Sequence, residues 1–595
     1  MWAQQPAFIP SNELEAVQLA PQRRIIPDKY NFVKVDFEAL KTFLNQAPHE
    51  NQMSGGMLFK YPMPDGTSQD FEIWQYDMME PGLAEQLPRI KTFLGKGKSD
   101  PYAVIRLDYT YQGFHGYILS PFGTAAIDPY AYGNSEYYIS YFKNDLPNIH
   151  APYFICGVNE GVSTINDDDL PEVKTLLPLG TQLRTYRLAL ACTGEYAAYH
   201  GGTVALVASA MVTAMNRVNG VYERDLSVRM NLVANNNNLI YLNATTDPYT
   251  NDNGAAMLSQ NQTTVTNVIG SANYDIGHVF STGGGGIASL ASLCDNSVKA
   301  QGVTGLPAPI GDPFYIDYVA HEMGHQFNGG HTFNSTAGSC GGGNRSANDA
   351  YEPGSGSTIM AYAGICSPDN IQNNSDDYFH ARSYRTIYTE IVTNEPGCPT
   401  TTNTGNTPPT VNAGNGGKYV PISTPFKLTA AGNDANGNAL TYCWEQYDLG
   451  NAIALATNPT SGTPPLFRSF KPDTSATRYF PRLQLVVNNT NDNREKLPTY
   501  TRVMTFRCTV RDNVPNGGGV SFDTVGYNFT AAAGPFLVTA PNNTSAYWIS
   551  NSTETVTWDV ANTNISPVSC SQVNIRLSID GGFTYPFLLA ANTPN

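Results

Sequence analysis

The sequence predicts a multidomain chain: two successive α+β units followed by β-sandwich modules. Three observations predict it. At 595 residues the chain is too long for a single core. The run Thr400-Thr401-Thr402-Asn403-Thr404-Gly405-Asn406-Thr407-Pro408-Pro409 has the composition of a linker. Before that run helical and strand periodicities are mixed, and after it short alternating strands are separated by Asn, Gly and Asp turns. The expected divisions are a leader remnant at 1–20, a first α+β unit at 21–178 and a second at 179–399. A linker at 400–412, an immunoglobulin-like β-sandwich at 413–532 and a second, truncated sandwich at 533–595 follow.

In the first unit the pattern predicts a helix at Phe37–Leu44 and strands at Ala103–Leu107 and Tyr117–Leu119, closing in the acidic stretch Asn166–Asp169. The second unit opens with a strand at Leu183–Leu190 and a long helix, roughly Glu195–Val218, with Ala and Val at helical spacing. A strand at Val228–Val233, a helix at Thr263–Ile269 and a strand at Ile276–Phe280 follow. The four glycines Gly283–Gly286 read as a bulged approach to an edge strand. No GK[ST] follows them, so a phosphate-cradling loop is not expected. Beyond the linker, Phe426–Thr429, Leu440–Trp444 and Phe506–Val510 alternate as the strands of a sandwich do.

Composition excludes some functions. The balance of 34 Lys+Arg against 50 Asp+Glu, a net of −16, opposes a phosphate backbone, so no nucleic-acid partner is expected. The longest apolar stretch, Thr203–Met215, is too short to span a bilayer and lies inside an amphipathic helix pattern, so no transmembrane segment is expected. The opening Trp2-Ala3-Gln4-Gln5 reads as the tail of a secretory leader. None of the nine cysteines forms a CxxC pair. Four of them, Cys294, Cys340, Cys366 and Cys398, bracket the motif described next and read as two disulfides of an oxidising compartment. No Cys443–Cys508 bond is expected: if Trp444 faces the core then Cys443 points out, whereas Cys508 shares its face with Phe506 and Val510.

The string that carries chemistry runs from Asp317 to His331, with His321, Glu322, His325 and His331 inside it. On a helix His321 and His325 lie one turn apart on one face, so both imidazoles reach one zinc ion. Asn328-Gly329-Gly330 must end the helix, because Asn and Gly accept the left-handed backbone of a sharp exit. The chain then turns back and His331 becomes the third ligand. Three neutral ligands leave one position for water, the mark of a catalytic site. Glu322 lies beside that position and suits a general base that takes a proton from the water and returns it to a leaving amine. Nine His in the whole chain predict well under one in such a window, yet three fall there. The other six, His49, His115, His150, His200, His278 and His380, are scattered and read as structural.

Here the chain resembles the metzincin metallopeptidases of the reprolysin-like (adamalysin-type) group, whose pattern is HExxHxxGxxH followed by a methionine turn. The turn is present as Ser357-Thr358-Ile359-Met360-Ala361-Tyr362. The resemblance implies an α+β metzincin catalytic domain, a twisted mixed sheet with a zinc helix, acting as a zinc endopeptidase on protein or peptide substrates. It implies that Met360 is a structural floor under the ligands. Tyr362 matches the place where some metzincins put a tyrosine that helps hold the oxyanion; a wall residue of the substrate pocket is the other reading. The stretch Asp275–Cys294 resembles the family's edge strand, so Gly286, Ile287, Ala288 and Ser289 would pair with an extended substrate. The family's disulfide maps onto Cys294 with Cys398, and Cys340 then pairs with Cys366. Two positions depart from the pattern: the glycine of HExxHxxG is Asn328, and the Asp that follows the third His in typical adamalysins is Thr332.

Family members are often made as zymogens, and the unit before 178 fits a pro-domain by position and size. Its one cysteine, Cys156, is a candidate latency ligand at the open zinc position, with Asp167-Asp168-Asp169 as rivals. A structural Ca2+ site is a further cofactor expectation, and the C-terminal sandwiches are the expected surface or matrix contact. The competing reading is a surface adhesin with an inert metallopeptidase fold. An inert version should have lost Glu322 or a ligand, and all four residues are present.

Overall fold

The computed structural model describes residues 4–14, 23–52, 55–147, 156–159, 178–543 and 545–595. The N-terminal unit is a nine-stranded antiparallel sheet in the order β1-β2-β9-β8-β7-β6-β5-β4-β3. Its strands are β1 (Ile9–Pro10), β2 (Asn31–Lys34), β3 (Met57–Pro62), β4 (Ser68–Tyr76), β5 (Lys91–Gly97), β6 (Val104–Thr110), β7 (Gly113–Leu119), β8 (Ala125–Pro129) and β9 (Tyr137–Phe142). The helix Phe37–Leu44 forms where expected, N-capped by Asp36, and sends Leu40, Phe43 and Leu44 into a cluster with Phe59 and Ile105. Every residue of β6 and β7 is buried, so both faces of the sheet are covered there.

What covers the second face is the long helix Val204–Leu226 of the next unit. The expected single helix over 195–218 is in fact two, Gly194–Tyr199 and Val204–Leu226. Gly201 and Gly202 break it with φ of +95° and +66°, and Thr203 caps the restart by accepting from Leu206 N. By length and composition this helix could cross a membrane, but 83% of its apolar window is buried inside the protein. It is a core helix between two sheets.

The second sheet runs β10-β14-β15-β13-β11-β12. Its strands are β10 (Cys156–Asn159), β11 (Gln182–Cys192), β12 (Val228–Leu232), β13 (Ile276–Ser281), β14 (Gly286–Ser289) and β15 (Gly302–Gly305). β12, β11, β13 and β15 are parallel, and β14 runs antiparallel to β15. The stretch expected to begin the linker adds a strand instead: β16 (Thr400–Asn403) pairs antiparallel with β11, Gln182 opposite Asn403. Its three consecutive β-branched threonines suit a pleated edge better than a solvated tether. The polar helix Ala381–Tyr388 was not legible as a helix.

Residues 410–530 carry a four-stranded sheet (Tyr419–Pro421, Val520–Thr530, Arg502–Arg511, Thr441–Gln446) and two ribbons around one core containing Trp444, Phe467, Phe480, Phe506 and Cys508. Cys443 and Cys508 are not joined, as the alternation around Trp444 required. Residues 537–594 form two further ribbons. The four-stranded sheet docks on the second unit through buried polar groups. Arg511 Nε donates to Asp225 at 2.9 Å, Ala381 N donates to Glu445 Oε2 at 2.8 Å, and the Tyr351 and Tyr447 rings stack at 4.3 Å.

Burial pushes the Glu445 carboxyl from 4.5 up to about 7. The folded chain keeps a proton there that the unfolded chain releases, so this contribution is full below pH 4.5 and lost as pH rises through about 7. Thermal unfolding followed across that range should show the decline, and Glu445→Gln should flatten it. An identical pH slope in the variant contradicts the assignment.

Candidate metal centre

A π-helical turn, Tyr315–Ala320, leads into the helix His321–Gln326, which places His321 and His325 on one face. The helix ends at Asn328, whose φ is +73°, the left-handed exit expected of it. His331 then returns to the first two. The Nε2 atoms of His321 and His325 stand 3.0 Å apart, and the His331 ring lies 4.6 Å from the His325 ring.

Each ring is oriented from behind by a different piece of chain. Nδ1 of His321 lies 2.7 Å from Ile359 O, that of His325 2.7 Å from Gly329 O, and that of His331 2.6 Å from Asn344 O. A carbonyl only accepts, so Nδ1 carries the proton and Nε2 presents a lone pair. Burial pushes His321 down to about 4, and burial with the neighbouring imidazoles holds His325 and His331 well below the ordinary value. The rings are therefore neutral donors. Two lone pairs facing each other at 3.0 Å repel unless a cation lies between them.

A fourth donor is present. Cys156 Sγ, buried, stands 3.5, 3.8 and 3.7 Å from the Nε2 atoms of His321, His325 and His331. All four ligand atoms lie within 4.8 Å of one another, buried together. Bonds of about 2.3 Å to sulfur and about 2.0–2.1 Å to nitrogen place tetrahedral donors at such separations, so the residues fit zinc. Burial, then the Glu322 carboxylate, pushes the Cys156 thiol well up, so a thiolate there requires a cation. Among the described residues no second group of three or more His, Cys, Asp or Glu donors converges, so the expected calcium site has no such cluster.

Glu322 is fully buried, neither carboxylate oxygen has a hydrogen-bond partner of ordinary geometry among the described residues, and burial pushes it up to about 8, with the Cys156 thiol beside it acting the other way. It lies against β14, where a Cβ on Gly286 would meet its Oε1 at 2.0 Å. Below the ligands Met360 packs on the backbone of Gly324, where a Cβ would stand 2.4 Å from its sulfur. Tyr362 meets His331 edge to face with ring centres 4.6 Å apart, and its hydroxyl donates to Cys156 O at 3.3 Å. The strand Gly286, Ile287, Ala288, Ser289 is paired on its outer side: β10 lies parallel along it, Cys156 opposite Gly286. Cys294–Cys398 and Cys340–Cys366 are both joined. Asp167-Asp168-Asp169 and His150 lie outside the described residues.

Two residues support the site: His278, read from the sequence as structural, and Glu352, which sequence reasoning missed. His278 Nδ1 pairs with Gln326 Oε1 at 2.8 Å, holding the motif helix to β13 and, through Nε2, to Thr304. Glu352, fully buried, accepts from Thr332 Oγ1 at 2.7 Å, Thr358 Oγ1 at 2.5 Å and Ser357 N at 2.8 Å. One carboxylate thus ties the chain after His331 to the methionine turn. The only hint in the sequence was Thr332 standing where an Asp was expected.

Gly286→Ala should displace Glu322 and lower turnover by about 100-fold or more while zinc content is retained; near-normal turnover contradicts the packing. Glu352→Gln presents a donor to one of the Glu352 partners and should weaken zinc about 10–100-fold, read by chelator competition. Unchanged affinity contradicts its bracing role.

Residues 182–387 match the Metallo-peptidase family M12B Reprolysin-like. No curated protein matches the chain. The matched stretch contains the histidine cluster, Glu322, the methionine turn and strands β11 to β15 of the second sheet. Over residues 182–387 the chain is therefore similar to the reprolysin-like metallopeptidases.

Proposed function

We propose that the protein is a secreted zinc endopeptidase made in latent form, cutting extended protein or peptide substrates. The observation that carries this reading is the buried Glu322 carboxylate beside three neutral imidazoles whose lone pairs share one point. When bound, zinc supplies a Lewis acid that acidifies water and polarises a carbonyl. His321, His325 and His331 would hold it. Glu322 takes a proton from water and delivers it to the leaving nitrogen. Tyr362, whose hydroxyl already reaches a peptide carbonyl in the cleft, donates to the carbonyl oxygen as charge develops there. β14 offers its main chain to the substrate, and Gly286 keeps that edge clear for Glu322.

The unit at 21–178 is the pro-domain in this reading. Its Cys156 takes the position that water needs, and β10 takes the edge that substrate needs. Two disulfides suit export to an oxidising compartment. Residues 413–532 and 533–595 are assigned as immunoglobulin-like modules that contact a surface or matrix.

Glu322→Ala should keep its zinc by elemental analysis yet lose at least about 100-fold in peptide hydrolysis. Near-wild-type turnover would place the base elsewhere. Cys156→Ala should speed self-cleavage between about Gly157 and Leu183; an unchanged rate would transfer the latency role to the Asp167–Asp169 stretch.

A further inference from the structure

We infer that the N-terminal unit is a permanent subunit of the enzyme and stays bound after the chain between β10 and β11 is cut. The inference rests on the latency reading above only for the occurrence of that cut. The surface in question is the face of the helix Val204–Leu226 turned toward the nine-stranded sheet. Every residue from Val207 to Glu223 is buried. A helix covered by its own sheet alone keeps a solvent face, so full burial means the N-terminal sheet supplies the other half of its environment.

The contact is continuous core. One apolar cluster contains Trp74, Tyr76, Tyr117 and Ile139 of the first unit together with Met211, Met215 and Val218 of the helix. Charges cross the boundary in matched, buried pairs. Arg106 Nη2 lies 2.5 Å from Glu223 Oε2, Arg217 Nη2 2.5 Å from Asp128 Oδ1, and Arg229 Nη1 2.6 Å from Glu50 Oε1. Lys143 reaches both Asp317, one turn before His321, and Asp377. Backbone joins the units too: Leu232 N donates to Met78 O and Glu80 N to Leu232 O, each at 2.9 Å, extending the second sheet past β12.

Separation would expose the apolar stripe of the helix and take Asp128 from Arg217, Arg106 from Glu223 and Glu50 from Arg229, leaving Arg217 with Asp312 and Glu223 with Arg229. By contrast, among the described residues β10 is held by four residues of parallel ladder, the Cys156 thiol and the Tyr362 hydroxyl on Cys156 O. Among the described residues the attachment of β10 is the smaller of the two, and opening the cleft needs only that one to give way. The partner this helix face fits is therefore the chain's own first unit, and the cut enzyme is a two-chain complex.

The test inserts the recognition sequence of an unrelated protease between Asn166 and Asp167 of the full chain, in a Glu322→Ala background so that self-digestion plays no part. After cutting, both fragments should leave a sizing column as one species. On urea titration the N-terminal fragment should be lost only where the second unit itself unfolds, and Arg217→Ala should lower the urea at which it is lost. An N-terminal fragment that separates by dilution or in mild urea, leaving a folded and soluble second unit, overturns the inference. Peptide hydrolysis by the cut chain with Glu322 intact is read separately. Its absence would count against latency through Cys156 without touching the association result.

Discussion

Three imidazole lone pairs are held facing one another in a buried space, and most of the second unit serves to keep them there. Their orientation comes from the carbonyls of Ile359, Gly329 and Asn344, which belong to the methionine turn, the helix exit and the loop between. Between the motif helix and Ala381 the only regular element is the short turn Gly338–Cys340. A long irregular segment must therefore hold a ligand as firmly as a helix would. The Cys340–Cys366 bond and the Glu352 carboxylate close that segment on itself, one covalently and one through hydroxyls on both sides of the ligand loop. Like donors so close together are unfavourable without a cation, so metal binding and local order are one free energy here.

The same geometry explains why the cleft admits one occupant at a time. β14 has one free edge, and the cluster has one position beyond the three imidazoles. β10 takes both with a single stretch of chain, placing Cys156 opposite Gly286 at the point where Glu322 approaches the strand. In the proposed latent form, inhibition is competition for hydrogen bonds and for a metal coordination position, not a distortion of the catalytic groups. The large apolar interface behind the helix Val204–Leu226 has a different role: it completes a core.

What was legible in the sequence was what depends on neighbours along the chain. The one-face spacing of His321 and His325, the left-handed exit at Asn328 and the helix Phe37–Leu44 follow from periodicity and backbone preference, and each appears in the structure. The resemblance added the disulfide pairs and the methionine floor. What was not legible depends on distant partners. The glycine break before Val204 was masked by continuous Ala and Val spacing. Thr400–Asn403 looked like a tether because β11, its partner, lies over 200 residues earlier. Glu352 carries no local signature, since its partners Thr332 and Thr358 stand 20 and 6 residues away. Burial of the long helix on all sides could not be read from its own pattern, which contains polar residues whose partners sit in another unit.

The central claim is that one zinc sits among His321, His325 and His331 with the Cys156 sulfur as its fourth donor in the intact chain. X-ray absorption at the zinc edge, recorded on uncut, metal-replete protein, tests it directly. The account predicts a first shell of three nitrogen scatterers and one sulfur at about 2.3 Å. A shell of nitrogen and oxygen alone in the intact chain would contradict it.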